Sequence, residues 1–400
     1  MKSDWEIKKL GEVCNARTGN SINEKVKKEK YMGVTSGLPY IATKDISFSG
    51  NITYNNGVEI PVNDPNFKVS PANSTLICIE GGSAGRKVAF SEKDVCFVNK
   101  LISLHSKIVD NKYVYYYCLS DSFLDQFNYL KSGIIGGVSL NKFRDIGIPI
   151  APQREQKRIV SKLDDIFKDA EKAKEIAEKN LQNAKDLFES YLENVFSNPG
   201  EGWNIEKLGN VCELVNRGIS PKYINENGLH VINQRCIRNH YIDYSLARMH
   251  NEKVKKVSVD KYLRVGDVLI NSTGVGTLGR VAQVKDLPFP ATVDSHVTIV
   301  RPFSDKFNHQ FFEFVLIYLE KSFEKSGMGA SGQIELSRDT IKNNFTVSYP
   351  QSISTQTEIA DKLRFLEDRV RTMVTIYKEK VSVVDELRKS VLNKAFSGEL

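Results

Sequence analysis

The chain repeats itself. Trp5-Glu-Ile-Lys-Lys-Leu-Gly-Glu-Val-Cys14 returns as Trp203-Asn-Ile-Glu-Lys-Leu-Gly-Asn-Val-Cys212, an offset of 198. Ser132-Gly133 and Arg144-Asp145 return as Ser326-Gly327 and Arg338-Asp339 at an offset of 194. Pro152-Gln153 returns as Pro350-Gln351. Leu187, Ser190, Leu192, Phe196 and Ser197 return as Leu387, Ser390, Leu392, Phe396 and Ser397 at an offset of 200. Matches kept in one order at a near-constant offset mark a duplicated unit. Whatever the first half folds into, the second half must also fold into. The 400 residues then fit two to four domains.

Each copy has two unlike parts. The first ~150 residues are rich in Gly, Asn, Tyr and β-branched residues, with turn signals such as Asn55-Asn56-Gly57 and Asn227-Gly228. That pattern predicts a strand-rich, mixed head. From Gln153 to Ser197 there is neither Gly nor Pro. Instead a 4-3 apolar spacing runs through Ile159, Leu163, Ile166, Ala170, Ala173, Ala177, Asn180, Ala184, Leu187 and Tyr191. The second copy gives Ile359, Leu363, Leu366, Val370, Met373, Tyr377, Lys380, Val384, Leu387 and Val391. Four heptads in each predict a coiled-coil helix, roughly 60 Å long. One polar residue interrupts each seam at matching positions, Asn180 and Lys380. Such residues either fix register or snorkel at the seam's edge. Net charge is +4 over 1–152, −1 over 153–197, +3 over 198–350 and +1 over 351–400. The helices are near neutral, as pairing helices are, and the basic excess sits on the heads. The fold class expected is α+β, with globular parts at 1–151 and 199–349 and long helices at 152–198 and 350–400.

Several classes of function are excluded or disfavoured. Hydrophobic content of 40% and charged content of 26% are those of a globular chain, not a disordered or fibrous one. No run of ~18 apolar residues is present to span a membrane. The N-terminus has no apolar core of a signal peptide, which points to the cytoplasm. Cys14, Cys78, Cys96, Cys118, Cys212 and Cys236 never form C-x-x-C and read as reduced, buried thiols. His230, His240 and His250 are too widely spaced to share a metal without intervening turns. Gly274-Val-Gly276-Thr-Leu-Gly279 matches a dinucleotide fingerprint, but Arg280-Val-Ala-Gln-Val-Lys285 alternates like a strand where a helix is required. Gly81-Gly-Ser-Ala-Gly85-Arg-Lys87 lacks the spacing of a phosphate-binding P-loop. Both glycine runs read as tight turns, or as loops laid against phosphates.

The layout resembles the specificity subunit of type I restriction–modification systems. The residues that carry the resemblance are Trp5 to Cys14 and Trp203 to Cys212 opening each head. Pro152-Gln153-x-x-Gln156 and Pro350-Gln351 with Gln356 open the helices, and Phe196-Ser197 and Phe396-Ser397 close them. Gly266-Asp267-Val-Leu-Ile-Asn-Ser-Thr-Gly274 with Gly279-Arg280, and Thr75-Leu-Ile-Cys-Ile-Glu80 with Gly85-Arg86, are similar to the family as well. The second helix opens two residues later relative to its Pro-Gln pair, so a local difference is expected there. The resemblance implies two target-recognition domains joined by two helices that form an antiparallel coiled coil. Each domain would read one half of a split double-stranded DNA target, with helix length as the spacer ruler. The implied partners are two methyltransferase (modification) subunits and optionally two restriction/translocase subunits. S-adenosylmethionine, ATP and Mg would be carried by those partners and no cofactor by this chain. The isolated chain could also form a homodimer through its helices. The chain lacks the Asn/Asp-Pro-Pro-aromatic motif of the adenine methyltransferases, in keeping with a subunit without chemistry of its own. Other readings are a specificity subunit of a combined restriction–methylation enzyme, and a coiled-coil scaffold with sugar- or peptide-binding heads.

Base edges are read by forked or amide side chains, Arg or Lys on guanine and Asn or Gln on adenine. Gln234, Arg235, Arg238, Asn239 and His240 supply these densely in one segment. Lys44, Asp45 and Asn51 occupy a comparable stretch in the first head. Arg86 and Arg280 close the two glycine loops and are the leading phosphate or base contacts, with Lys87, Ser272 and Thr273 beside them. Asn99 and Lys100, and His296 after Asp294-Ser295, follow the glycine loops at similar distances. Lys25, Lys27, Lys28 and Lys30, and Lys253, Lys255 and Lys256, form basic runs suited to phosphate contact. The Tyr113–Tyr117 cluster reads as helix core, with Phe311–Leu319 as its counterpart. Ile176, Leu181, Phe188 and Leu192 are expected on the outer helix faces, where modification subunits would dock.

Overall fold

The computed structural model describes residues 5–132, 136–327 and 334–400. Gly133 of the repeated Ser-Gly pair and the first four residues lie outside them. The chain divides into two compact units, Met1–Glu178 with Lys378–Leu400, and Lys179–Tyr377. Its main helices are α1 (Asn111–Cys118), α2 (Asp121–Leu130), α3 (Gln153–Ser197), α4 (His309–Lys325) and α5 (Ile353–Ser397). The two long ones, α3 and α5, are each 45 residues. They stand in register at the offset of 200 seen in the sequence. Each begins in one unit and ends in the other. The fold class is α+β. Among the described residues no helix is long and apolar enough to cross a membrane.

The described residues of unit 1 form the strands β1 (Glu6–Lys9), β2 (Asn15–Thr18), β3 (Gly37–Ile41), β4 (Glu59–Pro61), β5 (Val69–Ser70), β6 (Ser74–Cys78), β7 (Val88–Ser91), β8 (Val95–Phe97), β9 (Leu101–His105) and β10 (Gly147–Ile150). One sheet has the order β2-β9-β6-β7 and a second the order β4-β3-β8-β5, with β3 and β8 parallel. Every residue of β6 is buried, as a strand covered on both faces must be. β1 and β10 pair antiparallel, joining the first strand of the head to the last. The Tyr113–Tyr117 cluster lies in α1, where Tyr113 and Tyr117 are buried and the Tyr113 hydroxyl donates to Pro149 O at 2.8 Å.

Unit 2 contains β11 (Trp203–Lys207), β12 (Cys212–Arg217), β13 (Tyr223–Ile224), β14 (Leu229–Ile232), β15 (Ile237–Arg238), β16 (Tyr241–Ile242), β17 (Arg248–His250), β18 (Val268–Asn271), β19 (Val281–Gln283), β20 (Ala291–Val293), β21 (Val297–Pro302) and β22 (Thr346–Pro350). The sheet β12-β21-β18-β19 repeats the first sheet of unit 1. In the sheet β13-β17-β14-β20, β14 and β20 repeat the parallel pair. β11 and β22 pair as β1 and β10 do. The hairpin β15-β16 is matched in unit 1 by a single antiparallel bridge, Ile46↔Ile52, flanked by a Thr53 N to Asp45 O bond of 2.8 Å.

The helices join the cores of the heads. In unit 1, Ile159, Val160 and Leu163 of α3 and Val391, Leu392, Ala395 and Phe396 of α5 belong to the cluster that holds Tyr113, Tyr117 and Phe123. In unit 2, Phe188, Leu192 and Phe196 of α3 and Ala360, Leu363 and Val370 of α5 belong to the cluster of Phe311, Phe312 and Phe314. The start of each long helix is clamped by the glutamine of its opening motif. The Gln156 side chain donates to Ala151 O and accepts from the Asp110 amide, the N-cap of α1. Gln356 donates to Pro350 O and accepts from the Asn308 amide, the N-cap of α4. Both side chains are buried, so the two extra residues before α5 leave the clamp intact. In unit 1, Glu171 pairs with Arg388 at 3.2 Å and Lys174 with Asp385 at 2.9 Å. The partner number falls as the first rises, so the two helical segments run antiparallel there.

The expected seam holds only in part. Ile159, Leu163 and Leu363 are buried; Ile166, Ile359 and Leu366 are half-buried against the clusters; Asn180 is half-buried. Ala173 and Lys380 are exposed, and Leu187 and Leu387 are 48% and 47% exposed. Near the end of α3 the buried positions step by four, Ala184, Phe188, Leu192 and Phe196. Phe188 and Phe196 there meet the ring stack of the head, Phe314, Phe311 and Trp203. A straight helix turns every 3.6 residues, so a stripe of i, i+4 contacts replaces the heptad once the partner is a head. Phe188 and Leu192 therefore belong to the core, which corrects their expected place on an outer face, while Ile176 is 60% exposed and Leu181 half-buried.

Candidate nucleic-acid interface

In each unit three loops meet at the ends of three strands. In unit 1 they follow β3, β6 and β8. Val98 N donates to Ile41 O at 2.9 Å and Ile79 N to Lys100 O at 3.0 Å, and Lys87 Nζ reaches Thr43 O at 2.9 Å. In unit 2 the loops follow β14, β18 and β20. Asp294 N donates to Ile232 O at 3.1 Å and Ser272 N to His296 O at 2.8 Å, and Asn271 Nδ2 reaches Gln234 O at 3.1 Å. The same junction is thus built twice from largely different side chains.

A glycine loop forms the middle of each junction. Arg86 Nη2 donates back to Gly82 O at 2.5 Å, and Arg280 Nη2 to Gly276 O at 2.7 Å. Each arginine follows a glycine of positive φ, Gly85 at +78° and Gly279 at +83°. A Cβ at Gly85 would lie 2.6 Å from the Phe127 ring, and one at Gly279 would lie 2.8 Å from Glu324 N. Only glycine lets the loops close onto the helices. No helix follows either loop, so the dinucleotide reading of Gly274–Gly279 fails.

In unit 1, Lys44, Asn51, Arg86, Asn99 and Lys100 are exposed and Lys87 is half-buried. Lys100 pairs with Glu80 at 3.4 Å. Phe48 is 64% exposed, with the cations of Arg86 and Lys87 each 5.2 Å from its ring centroid. Phe48 is not among the residues expected from the sequence. Its only sequence signal is an apolar residue inside a polar turn, Ser47-Phe48-Ser49. Asp45 is a correction: it is buried, accepts from Ala42 N at 2.8 Å and Asn56 Nδ2 at 2.9 Å, and so shapes the loop from within.

In unit 2, Gln234, Thr273 and His296 come together. Thr273 Oγ1 lies 2.8 Å from His296 Nδ1 and 3.4 Å from Gln234 Oε1. Beneath them Asn271 is fully buried and its Oδ1 has no hydrogen-bond partner. Burial pushes the Asp294 carboxyl up against the opposing effect of the His296 amide. Arg235, Arg238 and Asn239 are exposed. Ser272 is a second correction: it has no exposed surface, and its hydroxyl bonds Thr298 Oγ1 at 2.5 Å. The basic runs are exposed except Lys27, which is half-buried.

His240 is half-buried, and one ring nitrogen already has a partner. It sits with Asn239 at the tip of the β15-β16 hairpin, both at positive φ. Its Nε2 lies 2.7 Å from Glu320 Oε2 of α4. Burial works against the imidazolium, but the hydrogen bond and charge of Glu320, with Glu367 and Glu313 beyond, outweigh it and raise the pKa above 6.5. A raised folded pKa means that the pair contributes fully at low pH and is lost as pH rises through the raised value. Imidazole resonances of His240 should therefore titrate with a midpoint above 6.5, and Glu320→Gln should lower it. A midpoint at or below that value would remove the ion pair from the account.

His250 is buried between Lys222 N and Lys255 O, and His230 stacks on Phe289 at 3.5 Å between centroids. Among the described residues no cluster could hold a metal. All six cysteines are free and buried, and burial raises the Cys14 thiol to about 12, far from a reactive thiolate.

The sequence matches the family described as Type I restriction modification DNA specificity domain twice, over residues 2–179 and 200–379. It is 23% identical over 432 residues to the type I restriction enzyme MjaVIII specificity subunit of Methanocaldococcus jannaschii, covering 100% of this chain and 94% of that protein. A chain solved in work described as "Structural basis underlying complex assembly and conformational transition of the type I R-M system" superposes with a TM-score of 0.80 at 19% identity, covering 100% of this chain and 99% of that one. The HsdS subunit of Thermoanaerobacter tengcongensis superposes with a TM-score of 0.60 at 19% identity, covering 100% and 98%.

Proposed function

From a chain that belongs to the type I restriction–modification DNA specificity family, non-catalytic subunits that recognise DNA, we propose a division of labour between heads and helices. Each head reads one half of a split double-stranded target through its three-loop junction. The carrying observation is that one junction geometry recurs in both units while its side chains differ, which suits two readers of two different half-sites. Gln234 and Asn239 are the amide readers of the second head, and Arg238 and Arg235 its guanine or phosphate contacts. Arg86, Lys87, Lys44 and Asn51 serve the first head around Phe48, an exposed aromatic of the kind that wedges or stacks at bases. The helices set the spacing between half-sites and scaffold two modification subunits, with two restriction subunits as optional further partners. S-adenosylmethionine, ATP and Mg act on those partners.

Adenine-methylation sequencing of host cells with this gene intact and deleted tests the reading. A split motif should vanish on deletion. A methylome unchanged by deletion, together with no motif on reconstitution with a modification subunit, would overturn it. Arg280→Ala and Arg86→Ala should each weaken binding by about 1–3 kcal/mol if the arginine reads a base. If it holds a phosphate, the slope of log affinity against log salt should instead fall by about one. Titrating binding against salt separates the two. Removing one heptad from α3 and α5 together should shorten the spacer of the methylated motif, and an unchanged spacer would sink the ruler.

A further inference from the structure

We infer that opposite charges at matching positions of the duplicated helices key each head to its own helix segments, so that the heads are not interchangeable. Positions 164 and 364 correspond at the offset of 200 and carry Asp and Arg. In unit 1, Lys112 Nζ of α1 meets both oxygens of Asp164 at 3.0 and 2.9 Å, and the Tyr116 hydroxyl adds a bond at 2.6 Å. In unit 2 the polarity is reversed. Glu313 of α4, fully buried, bonds Arg364, which also holds Glu367, and Lys285 Nζ lies 3.1 Å from the other Glu313 oxygen.

The opposite helix repeats the inversion at different positions. Lys321 of α4 pairs with Glu189 of α3 at 2.6 Å in unit 2. The position matching Glu189 in α5 is Lys389. In unit 1, Asp121 of α2 accepts from Asn393 Nδ2 at 3.0 Å, and the position matching Asn393 in α3 is Glu193. Exchange of the heads would therefore set Lys112 against Arg364, Asp121 against Glu193, Glu313 against Asp164 and Lys321 against Lys389. All four contacts become like-charged. The α3–α5 contacts have the same polarity. Glu171–Arg388 and Lys174–Asp385 attract, whereas pairing α3 with a copy of itself would set Lys174 against Lys185. Pairing α5 with itself would set Arg371 against Arg388. Unfavourable charge in the wrong pairing is how helix partners are commonly sorted.

The inference concerns folding and stands apart from DNA reading. Its test is a set of four full-length chains, with heads 1–151 and 199–349 in native or exchanged order, and with native or exchanged helix charges. The exchanged charges are Asp164→Arg with Arg364→Asp, Glu189→Lys with Lys389→Glu, and Glu193→Asn with Asn393→Glu. Thermal unfolding without DNA is the readout. Either mismatched combination should unfold on the order of 10 °C below the native chain or aggregate. Exchanged heads with exchanged charges should recover at least half of that loss. Charge exchange that acts alike in both head orders, or exchanged heads that fold equally well without it, overturns the keying. So does exchange of both without recovery.

Discussion

Arg301→Ala should destabilise unit 2 by about 3–5 kcal/mol, the range for removing one partner of a buried ion pair. Arg301 and Asp267 are 6% and 1% exposed, joined at 2.6 and 2.8 Å through Nε and Nη2. Arg301 also donates to Tyr262 O at 2.9 Å, and Asp267 accepts from the Arg264 amide at 2.8 Å. Without the guanidinium the carboxylate stays buried with a single amide donor. Unit 1 supplies its own control. The strand pairing places Ser74 and His105 at the equivalent positions, and they share a hydrogen bond of 3.2 Å. His105→Ala should therefore cost only about 1 kcal/mol. The double change Asp267→Ser with Arg301→His installs the pair of unit 1 and should recover most of the loss. Calorimetry of the three variants decides it. Equal shifts for Arg301→Ala and His105→Ala would show that the buried charge pair contributes little.

Gly218→Ala should disable the second junction without removing any polar group. A Cβ at Gly218 would lie 1.9 Å from Val293 O, the last residue of β20. Neither that carbonyl nor Gly218 can yield easily, because Ile219 N donates to the same oxygen at 2.9 Å and Gly218 N is held by Val297 O at 3.1 Å. The end of β20 must move, and with it Asp294 and His296. A penalty of about 3 kcal/mol or more is expected for such an overlap. Binding to the target should fall at least a hundredfold, with far-UV circular dichroism retained. Gly19→Ala poses the same problem in unit 1, where the Cβ would lie 1.8 Å from Phe97 O. Binding of Gly218→Ala within threefold of the parent would show that the third loop is not part of the reading face.

The architecture was largely legible in the sequence because it rests on repetition and periodicity, which are local signals. The opening motifs became paired edge strands, the Gln-x-x-Gln spacing became the Gln156 clamp, and the glycine runs became matched turns. The side chains of the candidate interface were less legible. Ser272 and Thr273 are adjacent just past the end of β18, yet one is sealed against Thr298 and the other faces Gln234 and His296, because successive residues of extended chain point to opposite sides. Asp45 and His240 look like readers by type, but Ala42, Asn56 and Glu320 already hold them. Leu187 and Phe188 are both apolar, and spacing alone does not choose between them. The choice is made by Phe314, more than a hundred residues away. Phe48 escaped notice because an exposed aromatic has no pattern of its own.

The pairing of β1 with β10, and of β11 with β22, has an evolutionary consequence. Each head leaves and rejoins the chain at neighbouring strands, so it is closed off by its own hem. Insertions, deletions and divergence in the loops between those strands leave the paired ends in place, much as an insertion is tolerated where its ends lie close together. Glu6↔Ile150 and Trp203↔Pro350 mark the two hems. Inside them, mutation can search for new recognition surfaces while the frame that carries them is inherited unchanged.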